Sequence, residues 1–225
     1  MSIAQNLKEI KDNIAAACER SGRDPQEVTL LAVTKTIDAD RINEAISLGV
    51  TDIGENRVQE LLSKYDLIKG DVRWHLIGHL QSNKVKYIAD KVCMIHSVES
   101  LSLAKEIERQ CAKIDKIMDI LVEVNVSGEE SKSGITPEEA LDFVKEVSLF
   151  PHIRVKGLMT MAPFDAENDE LHGIFANLYK IAVDISSKKL DNVIMECLSM
   201  GMTGDYEIAV EENSTIVRIG TGLFK

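Results

Sequence analysis

Residues 28–66 read VTLLAVTKTIDADRINEAISLGVTDIGENRVQELLSKYD, and the periodicity of this stretch decides the fold. Leu30, Leu31, Ala32 and Val33 form an apolar run bounded by threonines, short enough for a strand covered on both faces. ADRINEAISLG (39–49) then repeats its apolar residues at helical spacing and closes on Gly49. TDIGEN (51–56) is a second short strand, and RVQELLSKYD (57–66) a second helix. Short connections between such units imply parallel strands joined by right-handed crossovers.

The alternation continues to the end of the chain. VRWHLIG (72–78), VCMIHSV (92–98), MDILVEVNV (118–126), IRVKGLMTM (153–161), NVIMECLSMG (192–201) and STIVRIGTGLFK (214–225) read as strands. Between them, helices are predicted over SNKVKYIAD (82–90), 99–114, 136–150, 169–188 and 204–213. In TPEEALDF, Thr136 suits the N-cap, Pro137 the first helical position, and Glu139 completes a capping box. Leu7, Ile10, Ile14 and Cys18 mark one more amphipathic helix over 4–20, in front of the first strand. Eight strands separated by seven helices fit an α/β closed (β/α)8 TIM barrel, whose typical size is ~250 residues. The leading helix then fills the place on the outer ring left by a missing final helix. A doubly wound open sheet is the alternative. No linker or shift in composition divides the chain, so residues 1–225 read as a single domain.

Bulk properties exclude several classes of function. The formal net charge of -11 argues against a general nucleic-acid or anionic-membrane surface, because both need basic patches. It leaves room for a local anion site built from backbone amides. No apolar stretch approaches the ~18–20 residues of a membrane span, and MSIAQNLKEIKDN has no signal-peptide core. Cys18, Cys93, Cys111 and Cys197 are scattered, without metal-ligand spacing, as buried thiols in a reducing cytoplasm would be. No metal site and a cytoplasmic location are expected.

In a barrel of this kind the functional face lies at the carboxyl ends of the strands. Read in order, those positions hold Lys35; Glu55 and Asn56; Gly78 and His79; His96 and Ser97; and Asn125 with the loop SGEESKSG (127–134). They continue with Met159, Thr160 and Met161; Ser199, Met200 and Gly201; and Arg218, Ile219, Gly220, Thr221 and Gly222. The last two groups, on neighbouring strands, look like half of a phosphate cup. Small residues admit backbone N–H groups, Ser199 and Thr221 offer hydroxyls, and a helix start after Gly201 or Gly204 adds a favourable dipole.

Strand one neighbours strand eight in a closed barrel, so Lys35 faces that cup across the seam. A lysine of ordinary pKa, ~10.4, is almost wholly protonated at pH 7. Desolvation at a barrel mouth, or a cation such as Arg218, favours the neutral amine that attacks a carbonyl. The plainer alternative is a lysine ion-paired with Glu55. A carbonyl-reactive lysine beside a phosphate cup suggests pyridoxal 5'-phosphate held as an internal aldimine. A Schiff-base aldolase without cofactor is a further possibility, and it predicts a colourless protein. His96 and Ser97 read as hydrogen-bonded residues at the mouth, His152 and His172 as surface groups, and Lys132 as a solvated loop lysine.

LLAVTKT, DIGENRVQE, WHLIGHLQSNK, VNVSGEESKSGI, GLMTMAP, LSMGMTGDYEIAV and STIVRIGTGLF follow one another in this chain. Together they resemble the YggS/PROSC family of pyridoxal-phosphate homeostasis proteins, over about residues 4–224. The resemblance implies a fold-type III barrel similar to the barrel domain of alanine racemase, with Lys35 as the Schiff-base lysine. It places Ser199, Gly220 and Thr221 on the phosphate, with Met200 and Gly201 supplying backbone. It sets Arg218 against the pyridine nitrogen and Asn56 near the ring, with His79 and Met161 as lesser candidates. Arginine cannot accept a proton, so the ring nitrogen stays unprotonated and the cofactor is a weak electron sink.

A racemase needs two bases, one on each face of the ring. In alanine racemase the second is a tyrosine from another domain of the partner subunit, and this chain stops soon after strand eight. Tyr65, Tyr87, Tyr179 and Tyr206 all fall in helices on the outer ring. The expected function is therefore homeostasis of pyridoxal phosphate, by storage and delivery to pyridoxal-phosphate-dependent apoenzymes, without robust catalysis. A monomer or weak dimer is expected. A weak amino-acid racemase using Lys35 with His79 or a water is the alternative.

Overall fold

The computed structural model describes residues 2–129 and 132–225, so Glu130 and Ser131 of the loop SGEESKSG lie outside the described residues. Eight parallel strands close into a barrel in sequence order. They are β1 (Thr29–Val33), β2 (Asp52–Glu55), β3 (Arg73–Leu76), β4 (Met94–Val98), β5 (Met118–Glu123), β6 (Ile153–Met159), β7 (Val193–Met202) and β8 (Ile216–Ile219). The seam pairs β1 with β8, setting Leu31 opposite Arg218 and Ala32 opposite Ile219. The open-sheet alternative is thereby excluded.

The outer ring holds α1 (Ile3–Ser21), α2 (Ala39–Ser47), α3 (Val58–Tyr65), α4 (Leu101–Ala112), α5 (Ala140–Val147), α6 (Asn168–Ser187), α7 (Tyr206–Glu211) and α8 (Thr221–Phe224). Helix α1 starts at a capping box, with Ser2 and Gln5 each satisfying the other's backbone N–H, and stops at Gly22 with φ 69. It packs against α7, α8 and α2, in the ring position predicted for it. Asn6 on its inner face donates to the carbonyls of Leu223 and Lys225, at 3.0 and 2.9 Å, and ties down the last turn.

Three predicted elements differ from what forms. Residues 82–90 give only a 3-10 segment, Ser82–Tyr87, in which Val85 alone is buried. Ile88 and Ala89, just beyond it, are buried as well, and so short a segment does not repay the cost of nucleating an α-helix. The helix predicted from 136 begins as a 3-10 turn, Pro137–Glu139, and becomes α-helical only at Ala140. Its capping box between Thr136 and Glu139 is present. The final strand ends at Ile219, and the segment predicted to extend it turns into α8, which buries Leu223 and Phe224. No helix among the described residues is long and apolar enough to cross a membrane.

Period-two alternation sorts the strand residues into two cores. Ala32, Ile53, Leu76, Ile95, Val122, Leu158, Val217 and Ile219 point outward into the layer beneath the helices. Leu31, Val33, Ile77, Met94, Leu121, Met159 and Ile216 fill the barrel interior. Each fully buried aliphatic side chain contributes about 1.5–3 kcal/mol. The same alternation turns His75, His96, Glu123, Ser199 and Arg218 inward, so a polar column runs through an otherwise apolar interior.

Candidate functional site

Lys35 sits in a turn just past β1, exposed, with no side-chain hydrogen bond or ion pair among the described residues. Its backbone is held on both sides. The Thr34 carbonyl accepts from Lys64 Nζ at 2.7 Å, and the Thr34 hydroxyl donates to Glu55 Oε1 at 2.7 Å. Thr36, at φ 63, donates its amide to Glu60 Oε1. Lys64 joins the two carboxylates, 2.8 Å from Glu55 and 2.8 Å from Glu60. Glu55, the ion-pair partner of the plainer alternative for Lys35, is thus taken by Lys64. The reason is strand alternation: Glu55 faces out toward α3, whereas Lys35 emerges at the mouth. The desolvation expected at Lys35 is not supplied by its surroundings either, since the turn stands in solvent.

Burial pushes the Glu55 carboxyl above its ordinary value, against the pull of Lys64 and Thr34. Its Oε2 and the Oδ1 of neighbouring Asn56 are the buried side-chain oxygens left without a partner among the described residues. Asn56 lies at the end of β2, where Gly78 packs so closely that a Cβ would stand 2.5 Å from the Asn56 carbonyl oxygen.

Arg218 is buried and donates through Nη1 to the carbonyl and hydroxyl of Ser199, at 2.6 and 2.7 Å, and through Nη2 to the Thr160 carbonyl at 2.9 Å. These bonds use three of the five guanidinium N–H groups. Burial lowers its pKa to about 10, although Asp205 and Glu123 favour the cation. The Ser199 hydroxyl is also 2.9 Å from His96 Nδ1, so it is occupied inside the barrel. The Met200 side chain is fully buried beneath the helices, leaving only its backbone to face the mouth. Gly201 has φ 91, and a Cβ there would stand 2.6 Å from Ala209 Cβ, so its glycine lets α7 pack closely on β7.

Gly220 and Thr221 follow β8, and Gly220 lies against Val33, two residues before Lys35. Their amides have no acceptor among the described residues. The hydroxyl beside Thr221 is that of Thr203, at 3.3 Å, and Thr203 Oγ1 also accepts from the Gly222 amide at 3.2 Å. The helix expected to begin at Gly204 starts at Tyr206, because the Asp205 carboxylate takes the Met202 amide and sets the turn. The structure therefore brings together the β1 turn and the loop after β8, and pairs Ser199 with Arg218. His79 stands apart, exposed and 3.0 Å from Glu99. Met161 is half exposed, its carbonyl accepting from Lys132. Tyr206 is bonded to Asn13 of α1, and Tyr65 stacks near Trp74, both on the outer side.

Sequence reasoning missed Thr203, His75, Lys64 and Glu123. The signal for Glu123 was its register, an inward position two residues beyond Leu121 on β5. Burial raises its pKa to about 7, with Glu99 adding to the rise and Arg218 opposing it. The stability this group contributes is fully present below its unfolded value near 4.5 and is lost as pH rises through 7. The interval is worth on the order of 3 kcal/mol. In ligand-free protein, Glu123→Gln is expected to abolish that part of the loss. Denaturant titrations of both proteins at pH 5 and 8 measure it, and parallel pH dependence would contradict the assignment.

The family described as "Alanine racemase, N-terminal domain" matches residues 5–225. A pyridoxal phosphate homeostasis protein of Aquifex aeolicus is 41% identical over 225 residues, covering 100% of this chain and 98% of that protein. PipY of Synechococcus elongatus, solved with pyridoxal phosphate bound, superposes with a TM-score of 0.85 at 31% identity over 100% of both chains. An alanine racemase of Clostridium difficile shares the fold, with a TM-score of 0.74 at 17% identity over 99% of this chain and 56% of that one. The closed barrel with Lys35 at its mouth thus has full-length relatives, and the chain belongs to the family of pyridoxal phosphate homeostasis proteins, built on the alanine racemase N-terminal domain.

Proposed function

We propose that this chain, acting as one domain over residues 1–225 in the cytoplasm, binds pyridoxal 5'-phosphate reversibly through Lys35 and holds it in reserve for apoenzymes that need it. The carrying observation is the pairing of an exposed lysine, fixed by its backbone, with two unused amides at Gly220 and Thr221 across the seam. The residues present fit the group. The free amides and the Thr203 and Thr221 hydroxyls suit a phosphate dianion. The two uncommitted N–H groups of Arg218 suit an unprotonated ring nitrogen. The unpartnered Asn56 Oδ1 awaits a donor near the ring.

Bound pyridoxal phosphate supplies an aldehyde that condenses with a primary amine and a ring that draws electrons from the attached carbon. Lys35 supplies that amine, and the Lys64, Glu55 and Glu60 network fixes the backbone from which it reaches. Thr203, Gly220 and Thr221 anchor the anionic tail, with Met200 and Gly201 shaping the loop from behind. Ser199, which the resemblance places on the phosphate, accepts from Arg218 and orients it. Arg218 donates a hydrogen bond and no proton, which keeps the ring a weak electron sink and favours storage over turnover.

Storage and catalysis separate in one experiment. Purified protein carrying pyridoxal phosphate is incubated with L-amino acids in deuterated water, and exchange at Cα is followed. The expected result is a visible absorption band with no exchange at enzymatic rates. Rapid exchange that disappears in Lys35→Ala would establish the racemase reading instead.

A further inference from the structure

The polar column through the barrel has an order that its chemistry fixes. Arginine only donates, so the Ser199 hydroxyl accepts from Arg218 Nη1 at 2.7 Å and has its own proton to place. His96 Nδ1, at 2.9 Å, is placed to take it, and taking it puts the His96 proton on Nε2. That nitrogen lies 2.9 Å from His75 Nδ1, so His75 accepts there and carries its proton on Nε2 as well. His75 Nε2 is 2.9 Å from Asp52 Oδ1, with the Cys93 sulfur 3.4 Å from the same nitrogen. Asp52 closes the chain as an anion, gripped by Arg73 through Nε at 2.7 Å and Nη2 at 2.6 Å and by the Thr51 hydroxyl at 2.7 Å. The opposite direction would leave an unprotonated His75 Nε2 facing the Asp52 carboxylate, two acceptors with no proton between them.

The two ends of this chain open in different places. Arg218 lies at the carboxyl ends of the strands. Asp52, Arg73, His75 and Cys93 line a cavity of about 350 Å³ at the amino ends, together with Cys197 and Thr215. Asp52, His75, His96, Ser199 and Arg218 are all buried. Burial holds His96 well below the usual histidine range, assisted by His75 and Arg218, so its ring stays neutral. Hydrogen bonds from His75, Arg73 and Thr51 outweigh the burial of Asp52 and keep its carboxylate ionised.

We infer that Asp52, His75, His96 and Ser199 form a one-way hydrogen-bond relay that positions Arg218 toward the ring nitrogen of a bound pyridine. The inference about the ring rests on the function proposed above, whereas the relay itself is a property of the ligand-free chain. Both Nη1 hydrogens and one Nη2 hydrogen are committed to Ser199 and Thr160, which fixes the guanidinium plane. Ser199 can accept in that geometry only while its own proton points away, and the anion at Asp52 keeps it pointing away. A group at the far end of the barrel thereby sets the donor at the near end. These four are positioning residues, and none needs to touch the ligand.

Nitrogen NMR of histidine-labelled, ligand-free protein reads the relay directly. The expected spectrum shows His75 and His96 both neutral with the proton on Nε2. Asp52→Asn keeps the shape and removes the anion. It is expected to move the His96 resonances from two links away, to shift the absorption band after addition of pyridoxal 5'-phosphate, and to weaken its binding by about threefold to tenfold, the weight of one hydrogen bond. A merely structural Asp52 would lower stability and leave the His96 tautomer and the band unchanged. Protonation of His96 at Nδ1 in the wild type, or a folded Asp52→Asn variant with unmoved His96 signals, would overturn the relay. If that variant does not fold, the wild-type tautomers decide. Wild-type protein with the expected tautomers but no uptake of pyridoxal phosphate would support the relay and contradict the proposed function.

Discussion

Replacing Lys35 by alanine is expected to remove the borohydride-stable adduct with pyridoxal phosphate completely while leaving the protein as stable as before. The two halves of the result come from different parts of the structure. The Lys35 side chain is exposed and makes no contact that the fold needs. Its turn is held by Lys64 on the Thr34 carbonyl and Glu60 on the Thr36 amide, bonds that an alanine at 35 leaves intact. A surface change of this kind moves stability by about 0.5 kcal/mol or less. Intact mass after reduction, with thermal unfolding in parallel, measures both. A stoichiometric adduct that persists on another lysine, such as Lys132 at the same mouth, would show that Lys35 is not the reactive amine.

A change of one methyl group in the sheet is expected to cost far more. Gly157 sits in β6 where the register shifts against both β5 and β7. A Cβ there would lie 1.7 Å from the Cys197 carbonyl oxygen and 2.7 Å from its carbon. Those are backbone atoms and cannot rotate aside, so β6 and β7 would have to separate. The loss should exceed about 4 kcal/mol, a large part of the total for a domain of ordinary stability. Because this shift sets Met159 opposite Ser199, the site would be displaced with it. Gly173, inside α6, has open space where a Cβ would go. There the same substitution is expected to add about 0.5–1 kcal/mol. Circular dichroism and denaturant unfolding of the two variants provide the contrast, and a Gly157→Ala protein melting within a few degrees of wild type would contradict it.

The barrel was legible because its signal is repetition. Apolar runs such as LLAV and MDILV recur between amphipathic stretches, and one weak element, SNKVKY, does not disturb the count. Seam and site followed from topology, since closure alone makes β1 and β8 neighbours and sets the Lys35 turn beside Gly220. What topology could not reveal was which side chains would satisfy one another. Glu55, which reads as the alternative ion-pair partner of Lys35, faces outward to Lys64 on α3, and only an assembled sheet shows which side each strand presents at its tip. Ser199 reads as a phosphate ligand, and its bonds to Arg218 and His96 become visible only with its inward register. His96 was assigned to the mouth and is instead fully buried within the barrel. His75 carries no local motif, and its role exists only because three other strands place Asp52, His96 and Ser199 in line with it.

The central claim is a covalent bond at one nitrogen, and peptide mapping reads it. Wild-type protein is saturated with pyridoxal 5'-phosphate, reduced with borohydride, digested and analysed by mass. The predicted result is a single modified peptide carrying the reduced pyridoxyl group on Lys35, at one group per chain. Modification spread over surface lysines, or a protein that remains unmodified, would contradict it.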